Sequence, residues 1–166
     1  MVQITVAKTA GFCFGVDRAV KLVYAELEKG GRVATLGPII HNADVVNDMI
    51  AKGARIVSSV EELEPGERVV IRSHGVGPQV YDTLRAQGSP VIDATCPFVK
   101  RIHQIAAEVP EDGLLLLAGR REHPEVQGIM GWASGPVTVV HTAEEAESFV
   151  PENGKPISIV AQTTFN

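Results

Sequence analysis

Two cysteines that open predicted helices are the first residues of this chain to suggest chemistry. Cys13 follows a short apolar run and precedes an amphipathic stretch, and Cys96 has the same context further along the chain. A helix N-terminus presents unpaired N–H groups and a partial positive charge. This environment favours the thiolate, which is the form that binds metals or attacks electrophiles. The two thiols therefore suggest one site assembled from several strand ends.

Three histidines and a glutamate occupy equivalent positions after other predicted strands. His41, His74 and His123 each follow a strand-like run, and Glu125 lies two residues after the last of them. Ligands of open α/β sheets bind outside the carboxyl ends of the strands. Imidazoles near helix N-termini can hold an anion through charge-assisted hydrogen bonds. The predicted ligand of this group is therefore a phosphate or a diphosphate.

Each of these residues also has an ordinary interpretation. A lone cysteine in a small α/β domain is usually an inert apolar residue, and Glu125 at a helix start could simply complement the helix dipole. His103 and His141 are expected to be solvated, because one lies within a predicted helix and the other ends a strand. Two kinds of metal site remain possible. One is a zinc site formed by Cys13, Cys96 and a histidine, although the chain has no close Cys-x-x-Cys pair. The other is an iron–sulfur cluster.

The elements that must position these residues alternate between strand and helix. Apolar runs that end in Gly, Ser or Pro predict strands, and apolar residues at helical spacing predict the helices between them. The predicted strands are 4–8, 32–36, 55–58, 68–72, 90–94, 114–118, 137–141 and 156–161. The predicted helices are 16–29, 43–52, 79–87, 98–109, 124–132 and 143–149. This alternation is typical of an α/β fold with a largely parallel sheet.

The composition argues against several other classes of protein. The 166 residues carry a formal net charge of −5, which argues against a nucleic-acid partner. Hydrophobic residues make up 45% of the chain, which is enough to form the core of one domain or two small ones. No apolar run reaches the length of a membrane span, and the first residues do not resemble a secretion signal. We therefore expect a cytoplasmic protein with no membrane partner.

Six short motifs follow one another in an order and at a spacing that resemble one enzyme family. The motifs are Gly11-Phe12-Cys13-Phe14-Gly15-Val16-Asp17-Arg18-Ala19, Ile40-His41-Asn42, Ser73-His74-Gly75-Val76, Asp93-Ala94-Thr95-Cys96-Pro97, His123-Pro124-Glu125-Val126 and Gln162-Thr163-Thr164. Together they resemble the motifs of the 4-hydroxy-3-methylbut-2-enyl diphosphate reductases, oxidoreductases of the non-mevalonate isoprenoid pathway. Any one of these motifs is weak, whereas six in order are a specific signal.

The resemblance implies metal ligands and substrate ligands. Cys13 and Cys96 match two of the three cysteines that hold a 4Fe-4S cluster in this family. His41, His74 and His123 match residues that bind the substrate and its diphosphate. The implied electron donor is ferredoxin or flavodoxin.

The resemblance also implies the residues that move the proton. Glu125 matches the proton donor, and Thr163 matches the residue that hydrogen-bonds the substrate hydroxyl, with Thr164 next to it. The implied reaction is the reductive dehydroxylation of an allylic alcohol diphosphate. Two electrons and two protons convert it to isopentenyl and dimethylallyl diphosphates, and the hydroxyl leaves as water.

The implied fold is a trefoil of three α/β units, of which the resemblance covers two. Residues 1–97 are expected to form the first unit and residues 98–166 the second, each a small, largely parallel sheet flanked by helices. The predicted strand 4–8 is expected to belong to the sheet of the third unit. The third cysteine and a Ser-x-Asn diphosphate motif of the family have no match within the 166 residues. We therefore expect an N-terminal portion of the enzyme that lacks a complete active site.

Two other functions stay open at this point. The chain could be a diphosphate-binding module without a cluster, in which the histidines still bind an anion. It could also be a zinc-dependent hydrolase that uses Cys13, Cys96 and a histidine. Metal and acid-labile sulfide analysis separates the three possibilities, since it would find iron with sulfide, no metal, or zinc without sulfide.

Overall fold

Helices and strands alternate along the chain in the computed structural model, which describes residues 2–151 and 154–165. The helices are α1 Phe14–Glu28, α2 Ala43–Ala51, a 3₁₀ helix Val60–Glu62, α3 Pro78–Ala86, α4 Pro97–Ala107, α5 Pro124–Trp132 and α6 Ala143–Ser148. The strands are β1 Val33–Leu36, β2 Ala54–Val57, β3 Arg68–Ile71, β4 Val91–Asp93, β5 Leu114–Ala118, β6 Val137–Val140 and β7 Ile157–Ala161. The six predicted helices, and the predicted strands from residue 32 onward, are present with ends shifted by at most two residues.

Two separate parallel sheets organise these elements. The first sheet has the strand order β2-β1-β3-β4, and the second has the order β6-β5-β7. All five strand pairings are parallel, because a helix or a longer connection returns the chain between consecutive strands. The prediction of an α/β fold made of two parallel sheets flanked by helices is confirmed. Met1 and Asn166, the outer ends of the two predicted units, lie outside the described residues.

Several helices begin at a residue that sequence analysis placed in the site. Cys13 is the N-cap of α1, Cys96 is the N-cap of α4, and His123 is the N-cap of α5. Helices α3, α4 and α5 begin with proline, whose fixed φ and missing N–H suit the first helical position. The local sequence thus sets where these helices start, and the starts of α4 and α5 present Cys96 and His123 in the loops that follow β4 and β5.

Helices cover the two sheets differently. The first sheet is buried on both faces: α1 and α2 contribute Ala19, Val23 and Met49 on one side, and α3 contributes Leu84 on the other. The second sheet buries one face against α4 and α5, whereas Ile159 of β7 is 71% exposed. None of the described helices is both long enough and apolar enough to cross a membrane.

The prediction of a strand at 4–8 is wrong for this structure. Residues 2–7 form no strand, and Val2, Ile4 and Val6 are 90%, 84% and 75% exposed. A strand needs a neighbour that pairs with its N–H and C=O groups. No described strand lies beside this segment, so its alternating apolar residues remain in solvent.

Candidate active site

Three histidines from three different loops meet at one point. His41 lies between β1 and α2, His74 lies between β3 and α3, and His123 precedes α5. The ring centroid of His74 lies 4.9 Å from that of His41 and 5.2 Å from that of His123. The ring centroids of His41 and His123 are 6.0 Å apart. One ring nitrogen of each histidine lies within 4.8 Å of those of the other two. This group, here called the histidine triad, combines side chains that follow strands of both sheets.

A hydrogen bond fixes the tautomer of one member of the triad. Nδ1 of His123 accepts a hydrogen bond of 3.1 Å from the backbone N–H of Glu125. A ring nitrogen that accepts carries no proton, so the proton of the neutral ring is on Nε2. His123 therefore offers an N–H donor from Nε2. This arrangement suits an anion, whereas a metal ion would need the lone pair of that nitrogen.

The members of the triad that lie deeper in the protein are neutral at neutral pH. Burial, followed by the charges of His41, His123 and Arg72, lowers the pKa of His74 to about 4. Burial also lowers the pKa of His123, against the opposing effect of Glu125. A neutral imidazole still donates one hydrogen bond, but it supplies no charge to a bound anion.

Glu125 and Thr163 form a hydrogen-bonded pair that joins α5 to the end of β7. The backbone N–H of Thr163 donates to Oε1 of Glu125 at 2.6 Å, and the Thr163 hydroxyl donates to Oε2 at 2.8 Å. Glu125 is 1% exposed, whereas Thr163 is exposed. A buried carboxyl thus reaches solvent only through a hydroxyl group. That geometry allows a proton to pass from Glu125 through Thr163 to an oxygen atom outside.

Gln162 holds the neighbouring segment in place. Its Oε1 accepts from the backbone N–H of Arg120 at 3.1 Å, and its Nε2 donates to the Thr164 hydroxyl at 2.8 Å. The Thr164 hydroxyl therefore already has a partner within the chain. A cavity of about 450 Å³ opens here, and its lining residues are Arg120, His123, His141, Gln162, Thr164 and Phe165.

The two cysteines lie at neighbouring helix starts. Both are free thiols, with Cys13 exposed and Cys96 half-buried. A Cβ atom added to Gly15 would stand 2.6 Å from the Cys96 sulfur, so that sulfur rests against the first turn of α1. Arg18 of α1 donates to the backbone carbonyls of Asp93 and Thr95, both at 3.2 Å. These contacts bring the helix start that carries Cys13 to the loop that carries Cys96.

The structure does not support the zinc site of two cysteines and a histidine. Among the residues that the structure describes, the triad is the one group whose potential ligand atoms come together, and it contains neither Cys13 nor Cys96. A structural zinc ion needs four ligands about 2.0–2.3 Å from the metal. The thiols and the imidazoles thus form two adjacent groups rather than one zinc centre.

Close backbone contacts between glycines join the His74 loop to α5. A Cβ added to Gly131 would lie 3.1 Å from Cα of Gly77, and one added to Gly128 would lie 3.7 Å from the carbonyl of Gly75. A side chain at Gly131 would force the loop or α5 to shift by a few tenths of an ångström, whereas a Cβ at Gly128 would make ordinary van der Waals contact. Because His74 precedes Gly75 and α5 begins after His123, these contacts set the spacing of the two histidines.

The prediction that His103 is solvated is wrong. His103 is 5% exposed, and its ring stacks on Trp132 with centroids 5.6 Å apart and planes 22° from parallel. Burial lowers its pKa to about 4, and its Nε2 has no hydrogen-bond partner among the described residues. A Cβ added to Gly75 would stand 2.5 Å from the ring, so His103 packs against the loop that carries His74. His141, in contrast, is exposed as expected, with its ring 5.6 Å from that of Phe165.

Replacing Trp132 by phenylalanine is expected to destabilise the contact between α5 and the loop that carries His74. The indole N–H donates to the carbonyl of Val76, a buried residue, at 2.8 Å. Phenylalanine keeps an aromatic ring near His103 but leaves that carbonyl without its partner, which typically costs about 1–3 kcal/mol. Urea unfolding followed by circular dichroism measures the loss. Tyr24→Phe, which removes an exposed hydrogen bond to Asp48, is the control and should change stability less; equal effects would contradict the prediction.

Sequence analysis did not single out Arg72, which also lies at this site. Arg72 directly follows β3 and precedes His74 by two residues. Its charge lowers the pKa of both His74 and His123. The sequence signal was a charged residue at a strand exit beside a histidine motif. That no acidic side chain in residues 2–151 and 154–165 pairs with Arg72 is visible only in the structure.

Comparison with known proteins now identifies the family. The family model described as "LytB protein" matches residues 4–166. The chain belongs to the LytB family. A 4-hydroxy-3-methylbut-2-enyl diphosphate reductase of Thermoanaerobacter sp. (strain X514) is 44% identical over 168 aligned positions, which cover 98% of this chain and 58% of that relative. The enzyme of the same name from Aquifex aeolicus (strain VF5) is 45% identical, over all of this chain and 58% of its own length.

Solved structures of the LytB family share this fold. A structure described as (E)-4-hydroxy-3-methyl-but-2-enyl diphosphate reductase, the terminal enzyme of the non-mevalonate pathway, has a TM-score of 0.80 and 43% identity. The alignment covers the whole of this chain and 60% of that solved structure. The reductase from Plasmodium falciparum has a TM-score of 0.87 at 27% identity, over 95% of this chain and 50% of that one. The present chain thus spans a little more than half the length of the curated relatives that it matches.

Proposed function

We propose that this chain supplies the diphosphate-binding and proton-donating part of a 4-hydroxy-3-methylbut-2-enyl diphosphate reductase. The observation that carries the proposal is the position of the histidine triad beside the Glu125–Thr163 pair. The triad offers N–H donors to an anion, and the pair offers a proton at a point that solvent can reach. A diphosphate ester with an allylic hydroxyl requires both functions.

The triad binds the diphosphate through hydrogen bonds. His123 donates from Nε2, because its Nδ1 accepts from the backbone. His41 is exposed and His74 is half-buried, so together they line the entrance and the floor of the site. Phosphate oxygens accept several hydrogen bonds at once, and donors held by three separate loops fix the orientation of the ligand. His41, His74 and His123 are therefore proposed as substrate ligands.

Glu125 and Thr163 deliver the proton that the leaving hydroxyl needs. A protonated Glu125 donates to the Thr163 oxygen, which in turn donates to the substrate hydroxyl, so the hydroxyl departs as water. Burial of Glu125 keeps bulk water away from the carboxyl group, so its proton leaves through the Thr163 hydroxyl. Thr164, held by Gln162, lies next to this path and is proposed to contact the substrate.

The free thiols fit two ligands of an iron–sulfur cluster. Cys13 and Cys96 are free thiols at the N-caps of α1 and α4, and the contact of the Cys96 sulfur with the first turn of α1 brings the two helix starts together. When bound, a 4Fe-4S cluster would supply the two electrons of the reduction. The third cysteine ligand and the electron donor, ferredoxin or flavodoxin, would come from outside these 166 residues. On this proposal, residues 1–97 and 98–166 are two of the three units that enclose the site.

Diphosphate binding by the chain itself tests the proposal. Isothermal titration calorimetry with inorganic diphosphate should give saturable binding. His41→Ala removes one N–H donor from the triad and should weaken the affinity by about tenfold or more. Arg85→Gln is the control, since it removes an exposed cationic side chain that is paired with Asp82, and its affinity should equal that of the parent. Binding that is unchanged in His41→Ala would refute the assignment of the triad to the diphosphate.

A further inference from the structure

Arg72 is a half-buried cation with no acidic partner in the parts of the chain that the structure describes. Its Nε is buried and makes no hydrogen bond there. Two other partly buried arginines are paired: Arg55 with the buried Glu67 at 2.7 Å, and Arg68 with the buried Glu26 at 3.0 Å. Taking an unpaired charge out of water costs free energy. An anion bound from outside the chain would offset the cost of burying this guanidinium.

The position of the guanidinium points to where that anion binds. A Cβ added to Gly37 would stand 2.5 Å from Nη1 of Arg72, so the guanidinium lies over the backbone of the turn that follows β1. Gly37 has φ +74°, which other residues rarely adopt, and the absence of its side chain leaves room for Arg72. The Arg72 charge also reaches His74 and His123, since it contributes to the lowered pKa of both. Arg72 also directly follows β3 and precedes His74 by two residues, so its backbone lies at the strand end that leads into the triad.

The site needs a positive charge to offset that of a bound diphosphate, and Arg72 can supply it. His74 and His123 are neutral at neutral pH, so they donate hydrogen bonds but do not offset the charge of a diphosphate. A guanidinium keeps its charge at every physiological pH and presents a fork of N–H donors that matches a phosphate group.

We propose that Arg72 is a further anion-binding residue of this site, whose guanidinium pairs with a phosphate group held by the histidine triad. The inference rests on the proposed function, because it assigns to Arg72 the charge that the diphosphate of that substrate requires. Arg72 would also favour a doubly charged terminal phosphate over a singly charged anion of similar size.

Diphosphate titration of Arg72 variants tests the inference. Arg72→Gln is expected to weaken the binding of inorganic diphosphate by about 10- to 100-fold, as loss of one charge-assisted contact would predict. Arg72→Lys keeps the charge without the fork and should bind with intermediate affinity. Arg85→Gln is the matched control, because Arg85 is a surface arginine paired with Asp82, and it should bind like the parent.

Two measurements without ligand separate binding from folding. In phosphate-free buffer, Arg72→Gln should be at least as stable to urea as the parent, because it removes an unpaired charge rather than a stabilising contact. An NMR titration of the His74 ring should show a higher pKa in Arg72→Gln, since the nearby charge is gone, and no change in Arg85→Gln. A marked loss of stability, or an unchanged His74 titration, would overturn the inference.

The outcomes also distinguish the inference from the proposed function. If the parent and Arg72→Gln bind diphosphate with equal affinity, and His41→Ala binds it more weakly, the proposed function stands and the role of Arg72 is overturned. If the parent binds no diphosphate, the proposed function fails and the inference fails with it. Weaker binding in both His41→Ala and Arg72→Gln supports both.

Discussion

Glu125→Gln should slow the reduction of substrate by about 10² to 10⁴, which is the usual cost of losing a general acid. Glutamine has the shape of glutamate and can keep both contacts with Thr163, accepting from its N–H and donating to its hydroxyl. It cannot transfer a proton at neutral pH. The substitution should therefore reduce kcat while leaving KM nearly unchanged, because the proposed role of Glu125 is at the leaving hydroxyl and not at the diphosphate.

The measurement needs an enzyme of the full length of the relatives, in which residues 1–166 are joined to the remaining part of a reductase. Anaerobic single-turnover kinetics then report the chemical step. Thr163→Ser keeps the hydroxyl and should retain most of the rate, whereas Thr163→Val removes it and should slow the reaction as Glu125→Gln does. A Glu125→Gln enzyme that reduces substrate at the parent rate would leave Glu125 only the role of a carboxylate that complements the start of α5.

Acidification from pH 7 to pH 5 should destabilise the chain, and His103 alone should account for about 2 kcal/mol of the loss. Its pKa is lowered from 6.5 to about 4 by burial, so the folded protein binds fewer protons than the unfolded chain between these values. Its contribution to stability is therefore complete above about pH 6.5 and is lost as the pH falls toward 4. His74 has a shift of the same sign and adds to the loss.

Urea unfolding at pH 7 and pH 5 measures this dependence. The comparison uses the difference between the two pH values within each protein, so that any change in packing caused by a substitution cancels. His103→Gln should show a smaller difference than the parent, because glutamine does not titrate. His141→Gln, which replaces an exposed histidine, should show the parent difference. Equal pH dependence in His103→Gln and the parent would mean that His103 is protonated in the folded state at pH 5.

Local sequence signals were sufficient to predict most of the fold. Helices α3, α4 and α5 begin at prolines and the strands are short apolar runs, so neighbouring residues determine where these elements start and stop. The same signals placed His41, His74 and His123 after strands. The order of strands and polar residues predicted that the three histidines converge. Because His41 and His74 follow strands of one sheet and His123 follows a strand of the other, the packing of α5 against the His74 loop brings them together.

Other features of the site depended on residues far apart in the chain. No local pattern indicated that Trp132 and Gly75 cover His103, or that Arg72 has no acidic partner among the described residues. The segment 2–7 has the alternation of a strand but is exposed, since no described strand pairs with it. Residue types and their order determine local conformation and candidate chemistry. Burial, pairing and tautomer are set by contacts between elements, and only the tertiary structure decides them.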